Sequence, residues 1–190
     1  TLLRALAQRH GCYVAGAAWA IDPRWPDRFF NTAFIIGPTG ELELTYRKIN
    51  EGNYQAGLTA TTPGDIYDEF VAQASEDDMF PVLATPFGTL ACVICFDLNF
   101  PETVRRLAMR GAEIICNPTG EVNGSYLDVW QCTRRSRAIE NQCAWVSANH
   151  GGYVAARTEP GANAPLPEVF EGVVDAGITP ASPSHGRSQV

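Results

Sequence analysis

Between residues 89 and 148 the sequence alternates apolar, β-branched runs with stretches of helical spacing, in the order strand, helix, strand, helix, strand. That alternation restricts the chain to an α/β layer arrangement. Thr89 to Ile94 reads as a buried strand entered from a Pro86-Phe87-Gly88 turn. Asn99 is suited to cap a helix, Pro101 to fill its first turn, and Val104, Leu107 and Ala108 fall on one helical face up to Gly111. Ala112 to Cys116 is a second buried strand, ending at Asn117-Pro118-Thr119-Gly120. Ser125 to Asn141, free of Pro and Gly, forms a second helix, and Cys143 to Ala148 returns as a strand. Cys95 therefore stands at the carboxyl end of a buried strand, on the turn into a helix, where α/β sheets present reactive groups and ligands.

The segment ahead of this region predicts a different pairing. Leu2, Leu3, Leu6 and Ala7 share a helical face that Gly11 stops, Cys12 to Trp19 reads as a strand, and Asp22 to Asp27, with two prolines, as a loop. Asn31 to Gly37 and Glu41 to Tyr46 flank a Pro38-Thr39-Gly40 turn and read as a hairpin that ends at Arg47-Lys48. An antiparallel hairpin beside strands joined by helices makes a mixed sheet the expectation. Residues 49 to 79, rich in Gly, Thr, Asp and Pro, read as one long irregular loop, which in a compact domain is commonly functional or disordered. Pro81 to Leu83 is a short strand, and Val169 to Val174 interrupts a Pro-, Gly- and Ala-rich tail.

At 190 residues and 45% hydrophobic composition, residues 1–190 are expected to form a single domain around one core. A net charge of -7 opposes nucleic acid and anionic membranes as partners and leaves small molecules. No apolar run approaches the roughly 18 residues of a membrane span, and the amino terminus carries no signal pattern. The six cysteines lie mostly in apolar or strand-like segments, which points to a reduced, cytoplasmic setting. Cys92 and Cys95 form a C-x-x-C, but positions three apart on a strand face opposite ways and do not readily chelate one metal. With three histidines and no G-x-S-x-G, neither a metal site nor a serine triad is expected.

Lys48 is the only lysine beside thirteen arginines. Alone it reads first as a solvated surface charge, as Cys95 alone reads first as core packing. Taken together the two have another reading. A compact ammonium suits a single developing oxyanion better than a planar guanidinium does, and a cysteine on an elbow is a nucleophile once a base takes its proton. The pair points to acyl transfer through a thioester.

These residues sit in a series of motifs: Asn31 to Gly40, Tyr46-Arg47-Lys48-Ile49, Thr85-Pro86-Phe87-Gly88, Ile94-Cys95-Phe96-Asp97, Phe100-Pro101-Glu102, Arg110-Gly111-Ala112-Glu113, Asn117-Pro118, Trp130, Arg137-Ala138-Ile139-Glu140-Asn141, and Asn149 with Gly151-Gly152. In number and order they resemble the nitrilase superfamily of carbon-nitrogen hydrolases, in its amidase-like branches, over about residues 12 to 153, with an echo at Gly186-Arg187-Ser188.

The resemblance implies an α-β-β-α sandwich and a Glu-Lys-Cys triad in which Lys48 and Cys95 take the Lys and Cys places. It implies no cofactor and no metal, a small amide or nitrile substrate, and a homodimer or higher homo-oligomer in which the helix from Ser125 takes part. The family's catalytic glutamate belongs before Asn31, where the only carboxylates are Asp22 and Asp27, neither in a matching context. The implied object is a sandwich incomplete at both termini, inactive by itself. Glu51 is the nearest match to a second glutamate found after the lysine in many relatives. The Phe96 amide would serve the oxyanion, and Asn117, Thr119, Tyr54 and Tyr126 would bind substrate at the pocket mouth. Asp97, with Leu98 and Asn99 where carbamoylases place arginines, favours an amidase. The alternatives are a nitrilase, an N-carbamoyl amide hydrolase, or a catalytically silent subunit. Glu102, Arg137, Glu140 and Asn141 are expected to pair at helix ends rather than to catalyse.

Overall fold

The computed structural model describes residues 2–51, 60–120, 127–149 and 188–189. Its elements run α1 (Leu2–His10), β1 (Val14–Asp22), β2 (Trp25–Ile36), β3 (Leu42–Arg47), α2 (Tyr67–Gln73), β4 (Val82–Thr85), β5 (Gly88–Cys92), α3 (Pro101–Met109), β6 (Ile114–Thr119), α4 (Leu127–Asn141), β7 (Ala144–Asn149) and β8 (Ser188–Gln189). Strands β1-β2-β3 make one antiparallel sheet. Strands β4-β5-β6-β7-β8 make a second, mixed sheet in which β5, β6 and β7 are parallel and the outer pairs antiparallel. The parallel pairs are the ones joined across α3 and α4, because a parallel neighbour needs a long crossover.

Alternation along the strands assigns the layers. Ala33, Ile35, Leu44 and Tyr46 of the first sheet meet Leu90, Cys92 and Ile94 from the second, so the two sheets pack face to face. The intervening residues Ala91 and Val93, with Ile115 and Trp145, turn the other way and bury Val104 and Leu107 of α3, with Trp130 and Ala138 of α4 against them. On the far side of the first sheet α1 is fastened by Arg4 Nη1 donating to Gly40 O at 3.1 Å and Gln8 Nε2 to Thr39 O at 2.7 Å. The order is helix, sheet, sheet, helix, the sandwich that the resemblance implied. Among the described residues no helix is long and apolar enough to cross a membrane.

Several expectations need correction. The loop from Asp22 to Asp27 is a tight turn, since Trp25 already pairs with Asp22 at the start of β2. Trp25 is drawn in because its ring stacks on Phe70 at 5.2 Å and 5°, burying it to 2% exposure. Residues 49 to 79 are not irregular throughout: α2 lies among them, flanked by short turns that Thr62 with Asp65 and Ser75 with Asp78 close as capping boxes. Asn99 does not cap α3. Phe100 holds that place without a side-chain bond, and residues 95–99 wind into a 3₁₀ turn instead. Strand β6 continues through Pro118 to Thr119, where among the described residues only β7 pairs with it, β5 pairing as far as Cys116. Gly111, at φ +98°, ends α3 where expected. The segment Val169 to Val174 lies outside the described residues.

Candidate active site

Lys48 follows β3 by one residue, and its amide donates to Asn31 O at 2.9 Å, so the ladder still holds its backbone. Its ammonium is turned into the protein, with the side chain 6% exposed, and Nζ lies 3.0 Å from Glu51 Oε1, whose side chain is 12% exposed. An ion pair with so little water persists only where the geometry is good, since both charges have been desolvated.

Cys95 opens the turn after β5 with φ +45°, a left-handed conformation that disfavours a side chain by roughly 1–2 kcal/mol. The turn is closed from both ends: Asp97 N donates to Ile94 O at 3.0 Å and Ile94 N to Asp97 Oδ2 at 2.9 Å. The twist has a further effect. Cys92 and Cys95, expected on opposite faces, both pack against the apolar cluster between the sheets, because the strand ends at Cys92 before the count of three is complete. Cys95 is half-buried, Cys92 buried.

The Asp97 carboxylate joins the two segments. It is fully buried, and beyond Ile94 N it accepts from Tyr46 OH on Oδ2 at 2.8 Å, and from Asn50 N at 2.8 Å and Asn50 Nδ2 at 3.2 Å on Oδ1. Asn50 Nδ2 also donates to Thr103 Oγ1 in α3 at 2.9 Å. Burial pushes the Asp97 carboxyl up, while the amides of Ile94 and Asn50, the Tyr46 hydroxyl and the Lys48 charge pull it back. Burial, reinforced by the neighbouring Asp97 charge, raises the Tyr46 hydroxyl well above the ordinary tyrosine range and keeps it a donor.

On the opposite face of β3, Arg47 is ion-paired with Asp22 and its guanidinium lies 5.5–5.8 Å from the ring centres of Trp25, Phe30 and Phe70. Burial pushes Arg47 down, with Asp22 opposing. Hydrogen bonds from Arg24 hold Asp22 well below the usual carboxylate range, aided by the Arg47 charge.

Other residues expected at the site take varied positions. Phe96 is half-buried with its ring edge-on to Phe100 at 5.6 Å. Asn117 is buried, its Nδ2 donating to Val93 O at 3.1 Å and its Oδ1 accepting from Ser147 Oγ at 2.8 Å, so both ends of its amide serve the second sheet. Thr119 is buried at the end of β6. Tyr54 and Tyr126 lie outside the described residues. Arg137 pairs with Glu140 at 2.9 Å and donates from Nε to Leu98 O at 2.9 Å, while Asn141 Nδ2 donates to Arg137 O at 2.8 Å, the helix-end pairing that the spacing predicted. A groove of about 600 Å³ runs between α1 and the outer face of the first sheet, lined by Leu3, Ala18, Thr32 and Phe34 among others. It is across that sheet from Cys95. The role of Asp97 could not be read from spacing, since two of its three partners, Tyr46 and Asn50, come from a strand end far away in sequence. Its one local sign was an acidic residue in an otherwise apolar strand-to-helix turn.

Residues 1–165 match the family model for carbon-nitrogen hydrolases. The chain belongs to that family. Among related carbon-nitrogen hydrolases it is 35% identical over 152 residues to a hydrolase from the pqqF 5' region of Pseudomonas protegens, covering 77% of this chain and 48% of the relative. It is 30% identical over 156 residues to the deaminated glutathione amidase of Yersinia enterocolitica, covering 79% and 51%. Its fold is similar to that of an amidase from Nesterenkonia sp. AN1, solved as a cysteine-to-alanine mutant with butyramide, at TM-score 0.62 and 25% identity over 80% of this chain and 52% of that one. Another structure of that amidase records Michael addition of acrylamide at its active-site cysteine. The chain spans about half the length of the curated relatives it matches.

Proposed function

We propose that this carbon-nitrogen hydrolase chain carries the nucleophile and the oxyanion-stabilising cation of an amidase acting on small primary amides. The observation that carries the reading is the desolvated Lys48 ammonium, 3.0 Å from Glu51, on a segment bound through Asp97 to the strained turn of Cys95. Desolvation makes a fixed charge worth more to a developing anion than it would be in water. The Cys95 thiol gives its proton to a carboxylate and its sulfur attacks the amide carbon. The resulting oxyanion is held by Lys48, with the Phe96 amide as a second donor. Collapse of the tetrahedral adduct breaks the C–N bond, the proton leaves on the nitrogen as ammonia, and a thioester remains. Water then adds to the thioester, releasing carboxylic acid and restoring the thiol. Glu51 is the carboxylate beside Lys48; the glutamate that first receives the thiol proton belongs, by the family resemblance, before Asn31. Asp97 is unsuited to either proton step, because its oxygens are occupied by the donors of Ile94, Tyr46 and Asn50.

The test is a panel of butyramide, a matched nitrile and an N-carbamoyl amine, read by ammonia release and product mass. With it goes acrylamide labelling mapped to individual cysteines. Acid from butyramide, with acrylamide on Cys95 in preference to exposed Cys132, supports the amidase. Acid from the nitrile alone moves the reading to a nitrilase. No product and no preferential labelling of Cys95 leaves a catalytically silent subunit.

A further inference from the structure

Resting on the amidase reading above, we propose that Asp97 is a positioning residue whose buried carboxylate holds the Cys95 thiol against the Lys48 ammonium. Its donors come from both sides of the site. Tyr46 and Asn50 stand two residues before and two residues after Lys48, and both bond to Asp97, at 2.8 Å through Tyr46 OH and at 2.8 Å through Asn50 N. A chain segment fixed at both flanks of one residue cannot rotate that residue away without breaking a bond. Ile94, immediately before Cys95, donates to the same carboxylate at 2.9 Å. That bond spans the residue whose φ of +45° an unconstrained chain would abandon. Asn50 extends the tie to Thr103 on α3, so the helix following the cysteine turn is locked to the lysine segment as well. One side chain thus sets strand end, turn and helix in a single arrangement. An oxyanion formed on a carbon attached to Cys95 depends on that arrangement, because a misplacement of about 1 Å costs on the order of 100-fold in rate.

Asparagine is isosteric with aspartate yet cannot replace it here. Whichever way the amide turns, its NH2 faces either the Ile94 amide or the Asn50 donors, so one segment is released. The reaction that reads this separates sulfur reactivity from oxyanion support. Iodoacetamide alkylation needs only the thiolate and a displaced iodide. Acrylamide addition forms the S–C bond at the β-carbon, drives the electron pair onto the amide oxygen as an enolate, and then protonates the α-carbon. Only the second builds negative charge where Lys48 could meet it.

Both rates are measured by peptide mass at Cys95 in the full chain, with exposed Cys12 and Cys132 as internal controls. In Asp97→Asn we expect the acrylamide-to-iodoacetamide ratio at Cys95 to fall at least about tenfold, with the control cysteines unchanged. A folded D97N protein that keeps the wild-type ratio overturns the proposal, as does a parallel loss of both reactions, which is what a purely structural role gives. Should D97N fail to fold, Tyr46→Phe removes the hydroxyl donor to Asp97, and Asn50→Ala removes the Nδ2 donor and the tie to Thr103 while keeping the Asn50 amide bond; a Tyr46→Phe, Asn50→Ala double variant with a ratio within twofold of wild type overturns it. A different result, no acrylamide preference for Cys95 over Cys132 in the wild-type chain, overturns the amidase reading and not the Asp97 geometry alone.

Discussion

Lys48 and Glu51 form a 3.0 Å ion pair one turn of chain apart, and neither side chain has more than 12% of its surface in water. Removing one member leaves the other charge desolvated, which for buried pairs costs about 3–5 kcal/mol, whereas neutralising both together is far milder. Lys48→Met is expected to lower the urea midpoint sharply, Lys48→Met with Glu51→Gln to recover much of the loss, and both to lose the preference of acrylamide for Cys95. Urea unfolding followed by circular dichroism checks the first part. A double variant no more stable than K48M would show that the two charges do not compensate each other.

Asp22 provides a pH-dependent contribution. Hydrogen bonds from Arg24 hold its carboxyl well below the usual range in the folded chain, with the charges of Arg47 and Arg24 adding to them. The unfolded chain binds that proton at about pH 4. A depressed carboxyl therefore contributes stability that is complete above about pH 4 and is lost as the pH falls from there toward the folded value. Wild type should exceed Asp22→Asn in stability at pH 6 and the gap should close toward pH 2. A gap independent of pH would mean that the Asp22 contacts do not depend on its charge.

How much was legible in the sequence follows from how local each signal is. The turn at Cys95 was readable because apolar strand, proline and helical spacing succeed one another within a dozen residues. The Arg137, Glu140 and Asn141 pairing was readable because helical geometry fixes neighbours three and four apart. Trp25 was misread as loop because what recruits it into β2 is a stack on Phe70 and a cation from Arg47, neither visible in the dipeptides around it. The capping boxes at Thr62 and Ser75 were local and could have been found, but glycine and proline nearby outweighed them. Asp97 gathers Tyr46 and Asn50 across the space between two sheets, and no periodicity encodes that.

Asn117 separates a structural from a substrate-binding role at the end of β6. Its amide bridges Val93 O and Ser147 Oγ inside the second sheet, and Val93 lies two residues before Cys95. Asn117→Ala leaves a buried carbonyl and a buried hydroxyl short of a partner, at about 1–3 kcal/mol each in the general case. A drop in unfolding free energy of that size, with acrylamide labelling of Cys95 changed little, is the expected outcome. A folded, fully stable variant with weakened acrylamide labelling of Cys95 would instead return Asn117 to the pocket.

Phe70 connects the packing to the site. It is fully buried in α2, stacked on Trp25 at 5.2 Å, and its ring centre lies 5.8 Å from the Arg47 guanidinium. Arg47 directly precedes Lys48, so whatever holds Arg47 also limits where the lysine backbone can go. Truncating a buried phenylalanine typically costs about 3–5 kcal/mol through lost transfer and the cavity left behind. Phe70→Ala should destabilise by that amount, while Phe70→Leu, which keeps most of the volume but no ring face for the guanidinium, should cost less. If the Arg47 clamp fixes the lysine segment, the leucine variant should still lose acrylamide labelling at Cys95 out of proportion to its modest destabilisation. Labelling that tracks stability in both variants would place the effect in the core alone and cut the link from Phe70 through Arg47 to Lys48.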